Sequence, residues 1–235
     1  MYCVKNMNQT ETSFCLIVTG GSVDQGLLAD VYNGAYGYPV HPYVIGVDKG
    51  LEALEQLEIE PDLIIGDFDS ANEGIRAKYM TSPDASFRDR CIVLNPEKDF
   101  TDTHVAISEA GKCGFTHVLL LGATGTRLDH TLGNLDLLFT CLQHGIKAEI
   151  LDRHNRISII EKEKIVRAEN LYGPYISLLP FSENVKGITL KGFKYDVCDL
   201  SIHKGETIGI SNELREEEGH IIIGDGYLFL METKD

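Results

Sequence analysis

The stretch that most constrains this chain is Ile64-Ile65-Gly66-Asp67-Phe68-Asp69-Ser70, an apolar run that stops at a glycine and continues with carboxylates at alternate positions. Such a run reads as a strand buried on both faces of a parallel sheet, and in α/β folds ligands bind at the carboxyl ends of those strands. Two aspartates there cannot both be bare anions within a few Å, because each raises the other's pKa unless a proton or cation lies between them. A magnesium site is the economical reading. The plainer one is a turn and helix cap, where Asp and Ser are common. Recurrence shifts the balance, since similar clusters stand at Lys98-Asp99-Phe100-Thr101-Asp102 and Arg127-Leu128-Asp129-His130.

The rest of the first half repeats the grammar of strand, polar loop and helix. Phe14 to Val18 is an apolar strand ending in Thr19-Gly20-Gly21-Ser22, where glycines let backbone N–H groups approach an anion or simply permit a tight turn. Tyr43 to Val47 is a second strand, followed by Asp48-Lys49-Gly50 and a helix with Leu51, Leu54 and Leu57 on one face. Asp48 suits a helix cap or a ribose contact equally well. Ala71 to Tyr79 reads as a helix and Cys91 to Leu94 as a fourth strand. The lysine, hydroxyl and carboxylates of 98–102 then precede a helix running through His104 to Lys112. Thr101 or Asp102 would cap that helix in any protein. With parallel strands, however, Asp102 arrives on the same sheet edge as Asp67 and Asp69, and three carboxylates suit a hard cation.

His117 to Leu121 is the fifth strand and opens into Gly122-Ala123-Thr124-Gly125-Thr126-Arg127-Leu128-Asp129-His130, the most specific segment of the chain. Its glycines free the backbone to wrap a phosphate, Arg127 can pair with it bidentately, and the helix that follows Asp129 points its positive end there. Read locally, His130 suits a packed core position better than a ligand or base role. A helix from Leu132 to His144 and a strand at Ala148 to Leu151 complete this portion.

Beyond Asp152 the pattern changes. Ile157 to Glu161, Tyr175 to Leu179, Gly187 to Leu190, Glu206 to Ile210, His220 to Ile223 and Tyr227 to Met231 are short, β-branched and separated by turn residues, and no helical period persists. The expected fold class is therefore α/β: a three-layer parallel-sheet domain over 1–153 followed by an all-β sandwich domain over 154–235.

Composition narrows the function. A net charge of −15 argues against a nucleic-acid surface, which would need lysines and arginines to neutralise phosphates. The six cysteines are scattered without a C-x-x-C pair and read as thiols in a reducing compartment. Met1 to Ser13 lacks a signal-peptide core and no apolar run approaches bilayer length, so a cytoplasmic protein without membrane partners is expected.

Taken together, 46–50, 66–70, 98–102 and 122–130 resemble thiamine pyrophosphokinases, and Ser177 to Ser182, Gly187 to Tyr195 and Gly209-Ile210-Ser211-Asn212-Glu213 are similar to that family's second domain. The resemblance runs from about Phe14 to Met231. It implies a homodimer that transfers the pyrophosphoryl group of ATP to the thiamine hydroxyl with Mg²⁺ as cofactor, releasing AMP. It places the metal on Asp67, Asp69 and Asp102, with Asp129 and Arg127 joining them in the catalytic set. ATP falls to Asp48, Lys49, Lys98, Thr101, Thr124, Gly125, Arg127 and His130. Thiamine falls to Ser211 and Asn212, in a pocket formed between subunits. Thr126 departs from the pattern, since many relatives carry a second glycine there.

Two other readings compete. Asp-x-Asp after a strand is also the arrangement of aspartyl-phosphate phosphatases, whose first Asp is a nucleophile, but that leaves the 122–134 loop and the β domain without a role. A nucleotide-sensing module would keep the fold and lose turnover, whereas here every acidic position that the resemblance implies is occupied.

Overall fold

The computed structural model describes residues 14–67, 74, 78–79, 89–95, 97 and 99–235. The chain divides into two compact units, Met1–Ala148 and Glu149–Asp235.

In the first unit, β1 (Phe14–Val18), β2 (Tyr43–Val47), β3 (Leu63–Gly66), β4 (Cys91–Val93) and β5 (His117–Leu121) form a parallel sheet in the order β4-β3-β2-β1-β5. Cys15 to Val18 are fully buried, as expected for a central strand covered on both faces. From β1 the chain steps outward through β2 and β3 to β4, then returns to the other side of β1 as β5. That reversal opens a crevice at the strand ends, the usual ligand site of such sheets.

The helices described over their whole length are α1 (Gln25–Tyr32), α2 (Gly50–Gln56), α3 (Asp102–Lys112) and α4 (Leu128–Gln143). Asp24 caps α1 by accepting from the Leu27 N–H at 2.8 Å, a start signal that the sequence reading passed over. Helix α3 begins two residues before His104, and α4 begins at Leu128 instead of Leu132. Asp129 therefore lies in the first turn of a helix and not in the loop before it. The helix expected over Ala71 to Tyr79 falls largely outside the described residues.

The second unit is a sandwich. One sheet has the order β12-β9-β14-β7 with the end of β6 (Lys147–Leu151) beside β7, where β7 is Asn155–Ile160, β9 Tyr175–Pro180, β12 Asn212–Glu213 and β14 Leu228–Thr233. The other has β11 (Val197–His203), β10 (Asn184–Lys191), β13 (Glu218–Ile222) and β8 (Glu163–Arg167), all antiparallel. Ile176, Leu178, Leu228 and Leu230 from the first sheet share one core with Val185, Ile188, Ile202 and Ile221 from the second. The strand expected over Glu206 to Ile210 is a turn, closed by the Ile210 N–H on the Thr207 carbonyl at 3.2 Å. Strands β8 and β11 stand where the sequence reading placed none.

Cysteine chemistry departs from six equivalent thiols. Among the described residues Cys15, Cys91, Cys141 and Cys198 are free. Burial, with a smaller push from Asp62, holds the Cys15 thiol well above its ordinary pKa, and burial takes Cys141 up to about 12. Cys198 is exposed on β11. Of these four, Cys198 should react first with an aromatic disulfide reagent in native buffer, and Cys15 and Cys141 only on unfolding. An unchanged fast phase in Cys198→Ser would contradict this order.

Candidate active site

The loops after β1, β2 and β5 meet the start of α3 around a cavity of about 510 Å³. The β1 and β5 loops are zipped together by backbone alone: Thr19 N–H donates to the Leu121 carbonyl at 2.9 Å, Gly21 N–H to Gly122 at 2.8 Å and Ser22 N–H to Thr124 at 2.8 Å. A Cβ on Gly21 would overlap the carbonyl oxygens of Gly122 and Thr124, and one on Gly122 would overlap that of Thr19. Gly122 also has φ +73°, so glycine is needed there on two grounds. Asn134, buried in α4, donates from Nδ2 to the Ala123 carbonyl at 2.8 Å and ties that helix to the same loop.

Asp48, Lys49, Thr101, Asp102, Thr124, Gly125, Arg127 and His130 all line this cavity. Asp48 adopts φ 45°, in the left-handed region that few non-glycine residues enter. Its carboxylate fills the space over Gly66 that any Cβ there would occupy. The glycine before Asp67 thus serves the neighbouring loop, and Asp48 reaches the end of β3 where Asp67 begins. Asp67 itself is half-buried and is not part of the cavity lining. Asp102 opens α3, whose N-cap Thr101 accepts from the His104 N–H at 3.2 Å.

Arg127 and Asp129 form a two-point ion pair at the rim, Nη2 to Oδ2 at 2.6 Å and Nε to Oδ1 at 3.2 Å. The guanidinium, helped by the His130 N–H, lowers the Asp129 pKa below the usual carboxylate range. Asp129 faces an adjoining hollow of about 330 Å³ with Asp99 and Phe100, not the main cavity. His130 is exposed at the rim instead of packed in the core, because the early start of α4 lifts it onto the surface.

Asp69 and Lys98 lie outside the described residues. Among the described residues no three Asp, Glu, His or Cys side chains gather closely enough to hold a metal unaided. The donor set still suits magnesium, which takes one or two carboxylates and completes its shell with water and substrate phosphates. Asp48 and Asp102 face the cavity among hydroxyls and backbone, with no thiol in the lining to favour a softer ion.

Residues 39–150 match the family model for the thiamin pyrophosphokinase catalytic domain, and residues 156–228 match the vitamin B1 binding domain model. The thiamine pyrophosphokinase of Bacillus subtilis is 34% identical over 195 residues, covering 83% of this chain and 89% of that protein. The chain belongs to the thiamine pyrophosphokinase family. The crystal structure of the Bacillus subtilis enzyme superposes with a TM-score of 0.81 at 31% identity, covering 94% of this chain and 99% of that one. The Geobacillus thermodenitrificans thiamin pyrophosphokinase follows with a TM-score of 0.78, also at 31% identity, covering 94% and 98%.

Within this family fold, Ser211 and Asn212 lie in the second unit, on and beside β12. Ser211 has φ 59°, and its N–H donates to the Ser177 hydroxyl at 3.0 Å. Asn212 is buried and clamps Tyr195: Oδ1 accepts from the Tyr195 N–H and Nδ2 donates to its carbonyl, each at 3.0 Å. Its amide is thereby largely committed to backbone, and what it presents is the Tyr195 ring, 61% exposed. Tyr195 and Asn212 line a hollow of about 630 Å³ in this unit. Sequence reasoning gave Thr103 and Asn134 no role, and Thr19 only a place in a glycine loop, because no local motif marks a lone hydroxyl or amide whose partner is distant in the chain.

Proposed function

We propose that this chain transfers the pyrophosphoryl group of ATP to the hydroxyl of thiamine, giving thiamine diphosphate and AMP. The observation that carries the reading is the cavity at the sheet reversal, where a glycine-zipped loop pair, Lys49, Arg127, Asp48 and Asp102 converge on a volume suited to a polyphosphate. In the reaction the alcohol oxygen bonds to the β-phosphorus, the bond from that phosphorus to the α–β bridging oxygen breaks, AMP departs, and the hydroxyl proton passes to a base. Such a displacement depends on in-line placement and charge neutralisation more than on covalent help from the protein. Lys49 and Arg127 supply positive charge at the cavity. Magnesium held by Asp102 with Asp67, Asp69 or Asp48 would neutralise phosphate oxygens when bound. Asp129, held by Arg127 at the rim, keeps that guanidinium oriented until phosphate competes for it.

In the second unit, Ser211 and Asn212 serve thiamine by shaping the loop that carries Tyr195. An aromatic face suits a thiazolium cation, and the Lys194 ammonium already stands 5.7 Å from the centroid of this ring. The same proposal divides the labour between 1–153 for ATP and metal and 154–235 for thiamine and dimerisation, with the thiamine pocket formed between subunits of a homodimer. No helix among the described residues is long and apolar enough to cross a membrane, and four free thiols suit a cytoplasmic setting.

Incubation of the purified protein with ATP, Mg²⁺ and thiamine should yield AMP and thiamine diphosphate together, with neither formed when thiamine or metal is withheld. Phosphate or ADP as the sole product would overturn the reading in favour of a phosphatase or an ordinary kinase.

A further inference from the structure

Thr19 and Thr103 are 84 positions apart in sequence, yet their hydroxyl oxygens lie 2.9 Å from each other in the wall of the cavity. Both residues are 6% exposed, so the bridge gives each hydroxyl a partner where little bulk water reaches. The two ends of this bridge differ in how firmly they are anchored. Thr19 follows β1 directly, its N–H is bonded to the Leu121 carbonyl at 2.9 Å, and Gly122 packs against its own carbonyl. Thr103 is the second residue of α3 and the neighbour of Asp102. The Thr101 cap is local to that helix: it closes the helix end without locating it against the sheet. The Thr19–Thr103 bridge ties its first turn to the residue that follows β1, in a wall that Thr101 and Asp102 share.

We propose that Thr19 and Thr103 are positioning residues, whose hydroxyl bridge holds the first turn of α3 in register with the β1 loop so that Asp102 is presented to the metal-bound polyphosphate. The pair touches neither reacting atom; it acts through Asp102. The inference rests on the reading of the cavity as the magnesium–ATP site. A buried hydroxyl pair that only stabilised the fold would show the same distance, so the test separates position from stability.

The variants are Thr19→Val, Thr103→Val, the double valine variant and Thr103→Ser. Three readouts apply to each: melting temperature, the Mg²⁺ concentration at half-maximal ATP binding by calorimetry, and kcat. Each single valine strands one buried hydroxyl and should lower the melting temperature, whereas the double variant replaces both partners by apolar groups of like shape and should recover it. Recovery of the fold should not recover the site. The double variant is expected to need about tenfold more Mg²⁺ for ATP binding and to lose about 10- to 100-fold in kcat, as slight misplacement of a catalytic group costs. Thr103→Ser keeps the hydroxyl and should stay within about twofold of wild type on all three. A double variant that binds Mg²⁺–ATP and turns over like wild type overturns the proposal alone. Wild-type ATP binding that ignores Mg²⁺ overturns the metal reading and the proposal with it.

Discussion

Asp102→Asn should lower thiamine-dependent AMP formation by about 10³-fold, equivalent to about 4 kcal/mol of transition-state stabilisation, while the protein unfolds with unchanged cooperativity. The substitution keeps the size and shape of the side chain and removes its charge. As the first residue of α3, Asp102 lines the cavity, which on the proposed reading is where phosphate charge redistributes during transfer. An acidic residue in a first helical turn also interacts with the helix dipole, but that effect is worth only about 0.3–1 kcal/mol at an exposed end. The two contributions therefore separate cleanly: activity should collapse and stability should barely move. Steady-state kinetics paired with urea unfolding measures both. Turnover within tenfold of wild type would remove Asp102 from the machinery, and loss of cooperative unfolding would assign it to the fold.

The contrast between what the chain displays and what it conceals follows physical lines. Strands β1, β2, β3 and β5 were readable because central parallel strands are apolar at nearly every position, and Phe14 to Val18 or His117 to Leu121 offers no competing interpretation. The start of α4 was not, because Leu128 and Leu132 are exposed, so the first turn lacks the inward apolar stripe on which helical periodicity depends. Strands β8 and β11 escaped for a related reason: Glu163–Arg167 and Val197–His203 carry few buried side chains and resemble loops. Conversely, Glu206 to Ile210 has β-forming residues yet turns, since Gly209 packs against the Leu178 carbonyl too closely for any side chain. In the site, the order of Asp48, Asp102, Thr124, Gly125 and Arg127 along the chain announced a shared sheet edge, because parallel strands deliver their carboxyl ends to one side. The late start read for α4 is also why Asp129 reads locally as preceding the helix and His130 as a core residue, whereas both stand in its first turn. The resemblance gives Asn212 a thiamine contact, and the structure adds that its amide is bonded to the backbone of Tyr195, 17 residues earlier in the chain, a pairing that no local pattern displays.

Gly20 and Gly21 look alike in the sequence, yet alanine at the second should be far more damaging than at the first. At Gly20 the added Cβ would meet the Lys49 Cβ at 3.4 Å, ordinary contact with a side chain at the edge of the cavity. At Gly21 it would overlap the Gly122 and Thr124 carbonyl oxygens, which are backbone atoms that accept hydrogen bonds from the Gly21 and Ser22 N–H groups. Relief there requires the β1 and β5 loops to part, breaking two of those bonds at about 1 kcal/mol each and opening the wall on which the phosphate is expected to rest. Gly21→Ala should thus lose about 2–4 kcal/mol of stability together with ATP binding, while Gly20→Ala stays within about 0.5 kcal/mol and retains most of its affinity. Thermal unfolding and ATP titration on the pair of variants decide the matter. Equal effects at the two positions would mean that the loops do not zip through Gly21. A stable Gly21→Ala that fails only to bind ATP would mean that the glycine serves the ligand directly instead of through loop packing.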